Sequence, residues 1–451
     1  MKISKKMIDI NSDVFRSFFS FLIKILAGVS GFGLFALVSQ VLGAESFGVF
    51  STFFSIAMMF AMLFSFGQQT LLVKECSSLY KEKKSELVNS YYQYSIISSL
   101  VFLLFGCFVL YFFDILFLHS MESDFYLFLS VCSFVLLYGF SQTTVGIMRS
   151  QDKTISAILT RDFFWRLLCI FFVGVLWFYG YESLVFIFLF FSISLIPVII
   201  YHLRASEFSF INGRLSYQGV EYKRITSISF GFTMIAFISS ADSYLFTFIS
   251  GYYLDATSAG AFFSSIKIVE LLSIFLMAVS LVMATKFSVS IADKNYDMLQ
   301  RQCNISLVLQ GVPATFSSII VFLFPDFFLS FFSSDYENYS DLLRLLAFGM
   351  LVNSLTGPTV ILMQLFGLQW LHVALQGSSI LISMISLPLL KSSFGYMSVA
   401  IAFVLSKTLW NIVAVVVLKR KFGVDPSIFS LITFNGSVYR TVLSDLKGFK
   451  R

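Results

Sequence analysis

Residues Gly43–Lys74, GAESFGVFSTFFSIAMMFAMLFSFGQQTLLVK, decide how the chain is read, because their layout returns far downstream as DATSAGAFFSSIKIVELLSIFLMAVSLVMATK at Asp255–Lys286. Both stretches open on a short polar turn and a glycine, Gly48 or Gly260, run on for a bilayer's worth of mostly apolar residues, and stop at a lysine. An offset of 212 residues superimposes Gly48 on Gly260, Phe50 on Phe262, Ile56 on Ile268 and Lys74 on Lys286. A second pair, YGYESLVFIF from Tyr179 and FGYMSVAIAF from Phe394, aligns at nearly the same offset, 215. The chain therefore reads as two homologous halves, a construction common among membrane carriers.

Of 451 residues, 57% are hydrophobic and only 12% charged, far from the roughly one-quarter charged makeup of a soluble domain. Apolar runs of the ~20 residues needed to cross the hydrocarbon core recur along nearly the whole length. No stretch between them is long enough for a soluble catalytic domain. The run Phe15 to Val41 is too long for a signal-peptide core and is expected to stay as the first transmembrane helix.

The cysteines Cys76, Cys107, Cys132, Cys169 and Cys303 are scattered without CxxC spacing and read as buried apolar thiols. His119, His202 and His372 stand apart from one another, so no zinc site is expected. There is no Gly-rich phosphate loop and no GxSxG. No cofactor, metal or catalytic residue is expected, and the chain is read as a non-enzyme.

Run length and polar breaks place helices at about 15–41, 47–73, 87–113, 124–148, 154–179 and 182–204, then at about 224–253, 258–285, 300–324, 341–366, 369–390 and 394–418. The expected fold is an all-α polytopic membrane protein of twelve transmembrane helices in two six-helix bundles. Because each half holds an even number of spans, both enter from the same side, and the repeat axis runs along the membrane normal as a pseudo-two-fold. The expected organisation is a bundle over 1–204, a cytoplasmic linker over 205–223, a bundle over 224–422 and a tail over 423–451, with an interfacial segment around SIFSLITF.

Charge orients the bundle. Lys2, Lys5, Lys6 and Arg16 precede or open the first helix, and Lys74, Lys81, Lys83, Lys84, Arg149, Lys153, Arg204, Arg214, Lys223, Arg224, Lys286, Lys294, Arg301, Lys419, Arg420 and Lys421 fall on the same side. The opposite loops carry Glu45, Asp114, Glu122, Asp124, Asp255, Asp335 and Glu337, with Lys391 as their basic residue. The positive-inside rule then puts both termini in the cytoplasm. The net charge of +6 is accounted for by topology and headgroup contact, and no nucleic-acid partner is implied.

Ionisable residues deep in a bilayer face a bundle interior or a wet cavity. Lys24 lies nine residues into the first helix, about 14 Å deep at 1.5 Å per residue. Arg166, Lys267 and Lys407 come out at similar depth, Arg161 is shallower, and Asp242 and Glu270 supply acids. Five bases against these two acids leave a formal +3 within the membrane. Lys267 and Glu270, three apart on one helical face, either neutralise each other or serve the site. Asp242 either pairs with an arginine as a strut or joins the same site. Arg161 is expected to snorkel, and Arg344, three residues after Asp341, to anchor at the interface. Lys24, Arg166 and Lys407 are read as facing an anionic ligand. At the repeat offsets Lys24 corresponds to Ala236, Lys267 to Ser55 and Lys407 to Ser192, so scaffold glycines repeat while charges do not. Trp410 and Asn411 either contact a sugar or pack in the core.

Four segments carry a resemblance: VLGAESFGVFS at 41–51, SGYYLDATSAGAFFSSIKIVE at 250–270, FLFPDFFLSFFSSDYENYSDLLRLLAFGMLVNSLTGPTVILMQLFG at 322–367, and FGYMSVAIAFVLSKTLWNIVAVVVLKRKFGV at 394–424. In their order and spacing, over about residues 10–424, the chain resembles the Wzx-type O-antigen flippases of the multidrug, oligosaccharidyl-lipid and polysaccharide (MOP) exporter superfamily. The resemblance implies a MATE-like fold in the bacterial inner membrane. It further implies alternating access that moves an undecaprenyl-pyrophosphate-linked oligosaccharide from the cytoplasmic to the periplasmic leaflet. Membrane lipid, a polysaccharide polymerase and a chain-length regulator are the partners it implies. A cation-coupled multidrug exporter of the same fold would favour an acidic or neutral cavity. A membrane-embedded polysaccharide polymerase would need a sizeable outer loop, whereas the longest here, about Pro325 to Ser340, is short and acidic.

The orientation has a direct test. In a background without native cysteines, Ser85→Cys should resist a membrane-impermeant thiol reagent applied from outside, while Ser123→Cys reacts. Labelling in the opposite sense would invert the topology.

Overall fold

A computed structural model describes residues 2–115, 124–206, 221–240 and 242–433, with side chains from residue 22 onward. The described residues are helical almost throughout, and helix occupies each of the twelve stretches expected from run length. By length and composition, eight described helical stretches are long and apolar enough to cross a membrane, or up to ten if two bent pairs each count as one span. The expected linker falls mostly on residues 207–220 and the end of the tail on 434–451, both outside the described residues. Within the tail, Ile428–Thr433 forms a short helix in which Phe429 is exposed.

The first two spans run on from one another. Lys2–Phe64 is helical except at Gly43, whose φ of 76° and ψ of 169° leave the helical region. A straight helix of 63 residues would be about 95 Å long, three times the hydrocarbon thickness. Gly43 is where the chain interrupts that rod, in a conformation open to a residue without Cβ. A second interruption follows at Phe66 and Gly67, with φ of 54° and 61°, before the helix Gln68–Lys81. In the second half the helix Ser340–Leu355 gives way to Thr359–Leu365 with a bend of 42°. The bend falls on Thr356, Gly357 and Pro358: Gly357 has φ 74° and no room for a Cβ beside the Pro426 carbonyl, and proline cannot continue the hydrogen-bond ladder.

By contacts the chain divides into two compact units, Met1–Lys267 with Leu329–Tyr339, and Ile268–Phe328 with Ser340–Arg451. The first unit therefore takes in more than the expected bundle over 1–204. Small residues explain the extension. A Cβ on Gly48 would overlap the Ala256 carbonyl, one on Gly251 would overlap Thr52, and one on Gly260 would overlap the Tyr336 hydroxyl and lie 3.2 Å from the Gly48 Cα. The repeat-related glycines thus meet backbone to backbone. Tyr336 closes this contact by donating its hydroxyl to the Ala44 carbonyl at 2.7 Å, and the Gln40 amide donates to the Phe331 carbonyl at 3.0 Å.

Aromatic rings fill the rest of that unit's core. Phe50 lies 5.2 Å from Phe188 and 5.6 Å from Phe54, which in turn meets Phe134 at 5.7 Å and Phe263 edge-on at 5.9 Å. In lipid, helices gain little from expelling water, so close ring packing and interhelical hydrogen bonds carry association. His202 supplies such bonds: one ring nitrogen lies 2.9 Å from the Thr144 hydroxyl and the other 2.7 Å from that of Thr160, joining Leu184–Ala205, Phe125–Ser150 and Thr154–Tyr179. Trp165 adds a bond from its indole N–H to the Phe191 carbonyl at 3.1 Å.

The second unit is organised around Met283, Phe287, Leu299, Cys303, Leu362 and Trp410. Its helix Met397–Phe422 ends at Gly423, φ 71°, after which the chain is clipped to Tyr296–Leu323. The Gln300 side-chain amide donates to the Asp425 carbonyl and accepts from the Asp425 N–H, both at 2.7 Å. Burial alone would raise the Asp425 carboxyl, but hydrogen bonds from Ser427 and Lys419 outweigh it and hold the group below the usual carboxylate range.

Gly48→Ala should destabilise the protein by about 1–3 kcal/mol, because a methyl group must displace backbone rather than a flexible side chain. Thermal unfolding in detergent checks this, with Gly33→Ala as the control. Gly33 has nothing within 4 Å of its would-be Cβ and its replacement should leave the midpoint unchanged or slightly raised.

Candidate functional site

Lys24, Ala27, Gly31 and Phe35 follow one another at intervals of three and four residues, so they form one stripe of the first helix. Two cations from other helices meet this stripe. Arg166, on Thr154–Tyr179, donates a guanidinium N–H to the Ala27 carbonyl. Its guanidinium carbon lies 3.2 Å from where a Cβ on Gly31 would be. Gly31 is therefore the gap that lets a planar group lie against the helix. Lys267 approaches one turn further along, its Nζ 5.5 Å from the Phe35 ring, 5.4 Å from Tyr244 and 4.9 Å from Phe263. Only 9% of Lys267 is exposed, and three ring faces replace part of the water an ammonium loses on burial.

From Lys24 to Phe35 the stripe is eleven residues long, about 16 Å at helical rise. Lys24 is half-buried near one end. Asp242 is buried, opens the helix Asp242–Tyr253, and accepts the Ser243 N–H at 2.8 Å. It stands two residues before Tyr244, one of the rings around Lys267. The first unit thus brings Lys24, Arg166 and Lys267 to one helix face.

Glu270 and Lys407 belong to the second unit. Glu270 is exposed, in contrast to buried Lys267 three residues earlier. Lys407 is half-buried with its Nζ 5.5 Å from the Phe403 ring. Arg344 bonds Asp341 at 2.8 Å and the Phe322 carbonyl at 3.3 Å, which holds it near the helix end.

No family profile and no curated protein matches the sequence. Solved structures do match. A multidrug resistance MATE family transporter of the MOP superfamily in its inward-facing conformation superposes with a TM-score of 0.70 at 14% identity, over 88% of this chain and 94% of that one. A MOP superfamily transporter from Pyrococcus furiosus, in which reverse polarity of the binding pocket suggests a different function, gives 0.64 at 14% identity over 90% and 94%. An outward-facing MATE family transporter gives 0.63 at 14% identity over 90% and 94%. The chain has the MATE transporter fold.

On this MATE frame several features escape sequence reading. Asp162, four residues before Arg166, is a further acid in the first unit beside Asp242 and ion-pairs with Arg161 at 3.4 Å. Arg161 also lies 4.8 Å over the Tyr138 ring with its side chain 11% exposed, so it is held inside rather than snorkelling. Both residues sit on a π-helical turn, Leu159–Phe164, a rare geometry found mostly where side chains have work to do. An aromatic neighbour and an adjacent opposite charge were the available signals; the turn type had none.

Asn411 is buried and fully occupied. Its amide donates to the Asn353 side chain at 2.8 Å and the Lys407 carbonyl at 2.9 Å, while its oxygen accepts from Thr356 at 3.2 Å and Thr359 at 3.1 Å. Trp410 packs in the core at 4% exposure, edge-on to His372 at 5.0 Å. Of the two roles open to this pair, packing is the one the structure shows.

Asn411→Leu should cost about 1–3 kcal/mol, because it strands the Thr359 hydroxyl and the Asn353 side-chain oxygen on either side of the 356–358 bend. The same loss should appear in thermal unfolding whether or not ligand is present. A variant as stable as the parent would show that the bend does not depend on Asn411.

Proposed function

We propose that this protein is a flippase that carries an undecaprenyl-pyrophosphate-linked oligosaccharide, an O-antigen or related repeat unit, from the cytoplasmic to the periplasmic leaflet by alternating access. The observation that carries this reading is the meeting of Arg166 and Lys267 with the stripe of the first helix that also carries Lys24. Insertion scales put a basic side chain at the bilayer centre at about 2.5–3.5 kcal/mol, so a group of them is matched by a wet cavity or an anionic cargo. A guanidinium is a fork of five N–H donors suited to paired phosphate oxygens, and the lysines add point charges. Lys407, with Glu270, is assigned to cargo binding in the second unit, and Asp242 tempers the field of the first unit's cations so that cargo is released.

The MATE fold, solved elsewhere in inward- and outward-facing conformations, supports alternating access. A multidrug exporter shares that fold, but cationic drugs call for the opposite interior charge. On this reading the protein resides in the bacterial inner membrane beside a polysaccharide polymerase and chain-length regulator, and does no covalent chemistry itself.

Alanine at Lys24, Arg166, Lys267 or Lys407 should lower polysaccharide export in a complementation assay by about ten- to a hundredfold, the scale of one lost charge-assisted hydrogen bond of roughly 1.5–3 kcal/mol. Protein levels should stay normal, and Arg166→Lys should keep part of the activity because charge survives while the fork does not. Normal export by all four alanine variants would overturn the assignment of these cations to cargo binding.

A further inference from the structure

Away from the cation stripe, the first unit has a cleft of about 700 Å³ lined by Phe66, Phe102, Lys223, Thr226, Ser227 and Phe230. That volume lies within the range of small-molecule sites, about 300–1,000 Å³. One wall is a single stripe of the helix Tyr222–Ser240, since 223, 226, 227 and 230 are spaced three, one and three apart. Along it polarity falls from an ammonium through two hydroxyls to an exposed phenyl ring. The other wall is the Phe66–Phe102 stack, with centroids 4.0 Å apart and planes 15° from parallel.

Phe66 reaches that position by adopting a φ of 54°, unusual for a bulky residue. Gly67 beside it has no room for a Cβ against the Ser229 carbonyl, 2.6 Å from where one would be. The break in the second span therefore does two things: it lets the backbone of Tyr222–Ser240 come close, and it turns an aromatic ring into the cleft. Strain of this kind is kept where surroundings or function hold it.

The polar end of the cleft carries one ammonium, that of Lys223. Arg224 binds Glu75 at 2.7 Å, which engages that acid away from Lys223. Thr226 is linked to the Tyr94 hydroxyl at 2.9 Å, which fixes the hydroxyl wall against Ser85–Phe113.

We propose that this cleft binds one anionic phospholipid, with its phosphate on Lys223 and the Ser227 hydroxyl and an acyl chain laid over Phe230, Phe66 and Phe102. A head that is cationic and hydrogen-bonding and a body that is aromatic match an anionic amphiphile from end to end, as basic pockets between transmembrane helices do. The site is separate from the cargo path and does not depend on the identity of the cargo.

The test is native mass spectrometry of the full-length protein in detergent with equimolar dioleoylphosphatidylglycerol and dioleoylphosphatidylcholine. The parent should retain one phosphatidylglycerol in preference to phosphatidylcholine. Lys223→Gln should lower that adduct about fivefold, the effect of one lysine near a lipid phosphate. Ser227→Trp, which fills the cleft while keeping the charge, should remove it; if that variant is not monodisperse, Ser227→Leu takes its place. Lys391→Gln, on the acidic side, should leave it unchanged. Equal retention of both lipids by the parent, an adduct unaffected by Lys223→Gln, or one that survives filling the cleft would each overturn the site, leaving Lys223 as a lysine reaching to bulk headgroups.

Discussion

Gly48 and Gly260 touch through their backbones, and much of the first unit depends on that approach. A helix with a side chain at either position could not seat the Ala256 carbonyl or the Tyr336 hydroxyl where they are. In lipid this matters more than it would in water, because association must come from close packing rather than from expelled solvent. Around the glycine contact, Thr52 and Ser51 return their hydroxyls to the Gly48 carbonyl at 3.0 and 2.8 Å, so these two small residues satisfy their own polar groups. The phenyl rings of Phe47, Phe50 and Phe263 then close over the contact.

The same economy governs three of the interior cations: Arg166 rests on a helix carbonyl beside a glycine, Lys267 sits among three rings, and Arg161 combines a ring with a neighbouring carboxylate. Each arrangement stabilises positive charge without removing it. Ring faces and carbonyls are weak partners compared with a carboxylate, so they leave much of each positive charge uncompensated.

Much of the architecture was written in the sequence because membrane spans are announced by run length, and the twelve stretches found from apolar runs are helical. The repeat also had structural meaning, since the glycines it aligned turn out to be in contact. What sequence did not show was where helices break. Gly357-Pro358 is a strong local signal, but Phe66-Gly67 is an ordinary pair inside an apolar run, and its left-handed backbone follows from the approach of Tyr222–Ser240, a contact 160 residues away in sequence. The candidate site was legible as a set of costly charges, while its partners were not. Asp162 was hidden beside two bases, and Asn411 reads equally as a ligand contact or a strut until Thr356, Thr359 and Asn353 are seen around it.

The π-helical turn at Leu159–Phe164 changes what the spacing of Arg161 and Arg166 means. In an α-helix residues five apart point about 140° away from each other at 3.6 residues per turn. A turn closed by hydrogen bonds from i to i+5 takes up one more residue and draws such a pair toward a common face. The extra residue works as a phase shift: side chains before it are indexed differently from those after it. Two like charges are thereby brought nearer to alignment, and the carboxylate of Asp162 lies between them in sequence as the counterweight. The helix thus sets Arg161 against Tyr138 and Arg166 against Ala27 with a smaller angle between them than a regular α-helical repeat of the same residues would give.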